Sequence, residues 1–210
     1  NAGFDCLVYQ GSGANRTLTH QLGKNPEMIW IKAISGNYSS SQPWIVGHKG
    51  LDGGTSPWTH YMYLNTSAAE DSAGGTYYWN DTAPTSTVVS LGAADESNNP
   101  GMKHIMMLFA SVDGISKCGF YDGSDSSQTI TTGFAPRFVI IKNITTAAGW
   151  IVLDTTRGWG SGNDNYLRLN SDAAQLSYDY GAPISTGFTL TGGNDAHNDA
   201  GDKFIYYAHA

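Results

Sequence analysis

Pro26-Glu27-Met28-Ile29-Trp30-Ile31-Lys32 returns 110 positions later as Pro136-Arg137-Phe138-Val139-Ile140-Ile141-Lys142. Each stretch is a nearly continuous apolar run behind a proline. Such a run reads as a strand in the middle of a sheet with both faces covered. The proline stands just before it, where a missing N–H costs no ladder bond. Landmarks on either side keep the same order. Tyr9-Gln10-Gly11-Ser12 answers Tyr121-Asp122-Gly123-Ser124, Trp44-Ile45-Val46 answers Trp150-Ile151-Val152, and Leu64-Asn65 answers Leu169-Asn170. Lys103-His104-Ile105 and Ala110 answer Lys203-Phe204-Ile205 and Ala210. One unit of about a hundred residues is used twice, a size that can bury a core without staples. The copies share apolar runs, tryptophans and turn glycines, but no histidine, carboxylate pair or nucleophile with a base.

β-Branched and aromatic runs of four to eight residues recur between Gly, Asn, Asp and Ser clusters. In the first copy they are Phe4–Tyr9, Arg16–Thr19, Met28–Ile34, Trp44–His48, Tyr61–Leu64, Thr87–Leu91 and Lys103–Ala110. In the second they are Lys117–Tyr121, Gln128–Thr131, Phe138–Ile144, Trp150–Asp154, Tyr166–Leu169, Phe188–Thr191 and Lys203–Ala208. No stretch carries the 3.6-residue period of a long helix. The Ala-rich pieces Thr66–Asp71 and Ser171–Leu176 allow a single helical turn each. The expected fold is all-β: two tandem antiparallel β-sandwich repeats, jelly-roll-like and packed together, spanning residues 1–112 and 113–210. The connection Ser111-Val112-Asp113-Gly114 is too short to be a flexible tether.

Charged residues make up 14% of the chain while glycine reaches 26 residues, so solubility rests on hydroxyls and amides. That profile fits extracellular or virion β-proteins. A net charge of −7, with eleven scattered basic residues, argues against nucleic acid, which needs clustered Lys and Arg. No apolar run approaches the roughly 18 residues that span a bilayer. The chain starts at Asn, so it is expected to be processed or part of something longer. Cys6 and Cys118 lie at matching places, three residues before Tyr9 and Tyr121. They read either as a bridge between the copies or as two small buried apolar residues, and the second reading is preferred.

Chemistry-bearing patterns are sparse. His20, His48, His60, His104, His197 and His209 show no H-x-x-x-H spacing. No G-x-S-x-G elbow is present. Glutamate is limited to Glu27, Glu70 and Glu96, a thin supply for a glycosidase pair. The stretch Asn194–Asp202 places oxygen ligands at alternate positions, so Asp195, Asn198 and Asp199 offer a weak calcium candidate. Its competitor, a polar turn in which Asn and Asp bond their own backbone, is preferred. No cofactor or resident metal is otherwise expected. Sequons occur at Asn15, Asn37, Asn65, Asn80 and Asn143, at the frequency such a composition produces. The long variable stretches Gly50–His60, Gly74–Pro84 and Gly158–Asn165 should be surface loops. They carry Trp58, Tyr77, Tyr78, Trp79 and Trp159, and Tyr61 directly follows the first of them. Rings on loops can stack on sugars or anchor a protein partner; alternatively they cover the ends of the sandwiches.

The set Tyr121, Gly123, Pro136–Lys142, Trp150–Val152, Leu169-Asn170-Ser171, Ala182-Pro183, Ser185-Thr186 and Asn198–Lys203 resembles a repeat domain common in tail-fibre and other structural proteins of marine phages, especially those infecting cyanobacteria. The first copy carries Leu64-Asn65-Thr66 and Ala83-Pro84-Thr85-Ser86 in the corresponding places and departs by longer insertions. The resemblance covers nearly the whole chain and brings no catalytic residues with it. It implies a virion component exposed on a tail or capsid. The expected function is therefore non-enzymatic: a tail fibre, appendage or capsid decoration working through subunit contacts and host-surface adhesion. A glycan-binding, lectin-like receptor module is the alternative. Expected partners are copies of the chain, other virion proteins, and a host cell-surface glycan.

Overall fold

The computed structural model describes residues 3–36, 42–72 and 75–210. The Asn37 sequon and the start of the stretch beginning at Gly74 lie outside them. The chain divides into two compact units. The first is Asn1–Leu64 with Glu70–Ala110; the second is Asn65–Ala69 with Ser111–Ala210. The fold is all-β and sandwich-like.

The first unit contains β1 (Phe4–Gln10), β2 (Arg16–Thr19), β3 (Met28–Ser35), β4 (Ile45–His48), β5 (Met62–Tyr63), β6 (Val88–Leu91) and β7 (Lys103–Phe109). Five of these form an antiparallel sheet in the order β1-β7-β3-β4-β5, and β2 pairs with β6. The pleat sends Ile29, Ile31, Ile45, Met106 and Leu108 to one face, where they meet Leu18, Val89 and Leu91 of the smaller sheet. Trp58, Tyr61, Tyr78 and Trp79 from the insertions complete this cluster.

The second unit contains β8 (Ser116–Asp122), β9 (Gln128–Thr131), β10 (Phe138–Asn143), β11 (Ile151–Asp154), β12 (Asp164–Arg168), β13 (Leu176–Tyr178), β14 (Pro183–Ile184), β15 (Gly187–Leu190) and β16 (Lys203–His209). Its larger sheet runs β13-β12-β11-β10-β16-β8 and its smaller one β14-β15-β9. Ile130, Val139, Ile141, Leu153, Phe188, Leu190, Phe204 and Tyr206 fill the space between them. The segment Asn65–Ala69 joins this unit: the Ser67 carbonyl accepts from Ala148 N at 3.0 Å and from the Lys142 ammonium at 3.3 Å.

All fourteen expected strands are present, with bounds shifted by at most two residues. β13 and β14 add to them. β13 is exposed along its whole length, so no buried face gave it a period to read. Helical turns do occur, at Gly75–Tyr78 and Asp95–Asn98, but neither Thr66–Asp71 nor Ser171–Leu176 is helical. Gln175 is non-helical, and Leu176 opens β13. Leu176 pairs with Tyr166 of β12, and the alanines before it lie in irregular backbone.

Candidate functional site

The most regular polar feature occurs in both units and is structural. Tyr9 donates its hydroxyl to the Ser97 carbonyl at 2.5 Å; Tyr121 donates to the His197 carbonyl at 2.6 Å. The next residue in each loop is a fully buried asparagine. Asn98 Oδ1 accepts from Ser12 N at 2.9 Å, and its Nδ2 donates to the carbonyls of Ala14 and Gly92. Asn198 Oδ1 accepts from Ser124 N at 2.9 Å and from Gln128 Nε2 at 2.5 Å; its Nδ2 donates to the carbonyls of Ser126 and Thr191. Gly11 and Gly123 sit under these loops. A Cβ at either would lie 2.0 Å from the carbonyl oxygen of Asn99 or Asp199, so only glycine fits. Each carboxamide thus closes a latch between the end of the first strand and the loop before the last.

This latch bears directly on the calcium candidate. The Asn198 oxygen is occupied by two N–H donors. The Asp202 carboxylate accepts from Asn143 Nδ2 and Thr146 Oγ1. The Asp199 carboxyl is pushed upward, by desolvation first and then by Asp195, Asp125 and Asp202. Among the described residues no group of three or more His, Cys, Asp and Glu side chains is placed to hold a metal.

Expected exposure of the loop aromatics needs correction. Trp58, Tyr61, Tyr78, Trp79 and Trp159 are all buried, and only Tyr77, at 62% exposed, faces solvent. Volume explains it. Gly47 leaves a gap on the inner face of β4, and a Cβ there would meet both Trp79 and Trp58 within 2.8 Å. The two indoles pack edge to face at 5.7 Å in that gap. Trp79 Nε1 donates to the His60 carbonyl and Trp159 Nε1 to the Gly181 carbonyl, so each polar tip is satisfied inside. Trp58 borders a cleft of about 250 Å³ with Thr55, Pro57, Thr59 and Asp81. Both cysteines are free thiols; Cys6 is exposed and Cys118 buried, so the buried apolar reading holds for Cys118 alone.

Several titratable groups are buried. His104 stacks on Tyr9 at 5.3 Å, the place Phe204 takes on Tyr121 at 5.1 Å. Burial pushes the His104 imidazole below its ordinary value, and backbone groups of Asp95 and Met102 offset this in part. His197 is pushed down to about 4, by burial first, against weaker opposing effects of the Thr191 backbone and Asp179. Burial lowers Lys142 to about 8, and its ammonium is spent on the carbonyls of Ser67 and Asn143. Asp164 is raised by burial and held by the N–H groups of Gly160 and Tyr180. None of these groups lines the cleft beside Trp58 or the larger recess of the second unit.

An open recess of about 410 Å³ lies in the second unit, lined by Arg137, Phe138, Asp154, Tyr207, His209 and Ala210. Register builds it. Asp154, Phe138 and His209 stand side by side across β11, β10 and β16, and Tyr207 follows His209 on the same face two residues back. Arg137 is fixed by its backbone, donating N–H to the His209 carbonyl and accepting from Thr155 N, both at 2.9 Å. Asp154 Oδ1 accepts from Thr156 N at 2.6 Å and caps a 3-10 turn. Burial lifts the Tyr207 hydroxyl to about 12, so it stays protonated and can donate.

The first unit carries different side chains in the same place. There the row reads His48, Met28, Phe109 and Phe4. The Phe109 ring lies 5.2 Å from Phe4 and 5.0 Å from Trp30. Glu27, at the position of Arg137, is neutralised by Lys49 at 2.8 Å. Sequence reasoning missed this recess. Its signal was present as a change of side-chain chemistry at repeated positions: Glu27 against Arg137, His48 against Asp154, Phe109 against His209.

No helix among the described residues is long and apolar enough to cross a membrane. No curated protein and no solved structure matches the chain. One family model covers residues 1–210 in full, and the chain belongs to that family, DUF7483, a domain of unknown function.

Proposed function

We propose that this chain is a non-enzymatic structural and adhesive part of a phage particle, a tail fibre, appendage or capsid decoration displayed on the virion surface. In finer terms the fold is two tandem antiparallel β-sandwich repeats of jelly-roll type. The matching strand orders β1-β7-β3-β4-β5 and β8-β16-β10-β11-β12 support that reading. The observation that carries the functional proposal is the use of the polar side chains. Those repeated between the units latch loops to strands, and the buried titratable groups His104, Lys142, Asp164 and His197 line neither open recess. What remains for partners is surface. Phe4 and Val8 stand out from β1 and Phe120 from β8, each the end strand of its sheet. The Asp5 carboxylate folds over the β1 backbone, accepting from Cys6 N and Gln21 N, which favours contact through side chains over strand addition. Antibody labelling of intact particles, viewed by electron microscopy, tests this. Label on tail or capsid is expected, and particles that never carry the protein would refute it.

The alternative is a lectin-like module that recognises a host-surface glycan. The recess around Arg137 is the observation in its favour, since it joins apolar rings to a few convergent polar groups, the usual make-up of a small-ligand site.

A further inference from the structure

We propose that the Arg137 recess binds a sugar acid: a pyranose bearing one carboxylate, free or as a unit of an anionic polysaccharide. This deepens the lectin-like reading and rests on it.

The recess is at the small end of ligand pockets, which run roughly 300–1,000 Å³. Arg137 supplies the anion partner. Its side chain is exposed and, among the described residues, makes no hydrogen bond or ion pair. A guanidinium fork matches a carboxylate through two parallel bonds. Half-buried Phe138 provides apolar ring surface for the C–H face of a pyranose, with the largely buried Tyr207 forming the floor beside it. Asp154 uses Oδ1 for its turn, which leaves its second oxygen to accept from ring hydroxyls. The His209 ring keeps Nδ1 beside the Ala210 carbonyl at 2.9 Å, so Nε2 is left for a further hydroxyl.

The same residues select against neighbouring ligand classes. Asp154 beside a single arginine disfavours a doubly charged phosphate, as does the chain's net charge of −7. Arg137 beside a single carboxylate disfavours a divalent cation. Asp154 is the one acidic side chain lining the recess, whereas glycoside cleavage uses two. Binding without turnover is what this set can do. The first unit, with Phe109, Met28 and the Glu27–Lys49 pair in the same place, offers no second copy of the site.

Two-dimensional NMR of the full chain, titrated with sodium D-glucuronate, D-glucose, sodium acetate, a glucuronate oligomer and phenylalanine, decides it. Glucuronate should move the resonances of Phe138, Tyr207 and His209 and bind about tenfold tighter than glucose, the worth of one charge-assisted pair. Arg137→Gln should erase that preference while leaving the melting temperature unchanged, and Arg137→Lys should restore part of it. An oligomer that binds tighter than the monosaccharide identifies a polysaccharide as the source; equal affinity identifies the free sugar acid. Equal binding of glucose and glucuronate would overturn the acid class and leave the lectin-like reading standing. Tighter binding of acetate or phenylalanine than of glucuronate would overturn the sugar. No shift with any sugar would overturn both, without touching the particle reading tested by antibody labelling.

Discussion

In both units a tyrosine near the end of the first strand donates to a loop carbonyl. A buried asparagine follows it, and a glycine lies beneath at a separation that admits no side chain. Between these fixed points the two interiors are filled differently. The first unit has Gly47 and two indoles where the second has Leu153 and Trp159. It has Leu7 against Met106 where the second has Gly119 against Tyr206. The two interiors are built from different combinations of large and small residues. The latches tolerate no such variation, because a hydrogen bond depends on direction as well as on size. At the end row of the larger sheet His209 stands where the first unit has Phe109, and Phe138 where it has Met28, and a recess lines that row in the second unit. Duplication therefore preserves the latches, while the side chains at the end row of the larger sheet differ in chemistry between the units.

The comparison breaks most visibly in the cores. Trp79→Ala should cost about 3–5 kcal/mol, the usual loss for a buried indole, because Gly47 offers nothing to collapse into the space. Trp159→Ala should fall at the low end of that range, since Leu153 already fills the corresponding position. Urea denaturation of the two variants checks the ranking. Next come the glycines: Gly11→Ala and Gly123→Ala should each cost about 3 kcal/mol, the upper part of the overpacking range, since the clash is with backbone. Equal losses are the point here, in contrast to the tryptophans.

Acid separates the units in another way. Each latch holds one imidazole, but at different positions: His104 under Tyr9 in the first, His197 in the loop itself in the second. Facing His197 are Asp179, Tyr178, Tyr180 and, through its carbonyl, Tyr121. Facing His104 are Tyr9, whose hydroxyl feels Arg16, and the backbone of Asp95. An unfolded imidazole takes up a proton near its ordinary 6.5, whereas folded His197 refuses it until about 4. Stability therefore rises with pH across that window and is lost below it, by about 2–3 kcal/mol for His197. His104→Phe copies the second unit into the first; it should change stability at pH 7 by less than ~1 kcal/mol, as volume-conserving swaps do, and flatten part of the acid loss. Denaturation midpoints at pH 7 and pH 4.5 read both effects. The smallest change belongs to Tyr77→Ser, which should stay within ~0.5 kcal/mol as an exposed site away from packing.

Strands were legible in the sequence because burial imposes a period and turn residues bound each run. The deciding pair Met28–Lys32 and Phe138–Lys142 lies centrally in each larger sheet, as its continuous apolar run implies. β13 was not legible, since Leu176–Tyr178 buries nothing. The loop aromatics misled for a physical reason. An indole in a polar segment looks exposed unless the partner gap is known, and Gly47 lies far from Trp79 in the chain. Asn198 was visible as part of a polar loop, but its four bonds reach residues up to 74 positions away. The recess was readable only by aligning the copies and asking where charge changes.

Asparagine at the latch offers the most direct test. Asn98→Ala and Asn198→Ala should each lower the unfolding free energy by about 3 kcal/mol, because several buried hydrogen bonds of about 1 kcal/mol are lost together. Asn198→Asp should melt lower than the parent by the same margin whether or not millimolar calcium is present. Matching losses without calcium rescue are what a duplicated structural latch predicts. A silent Asn98→Ala, or an Asn198→Asp protein whose stability returns with calcium, would contradict it.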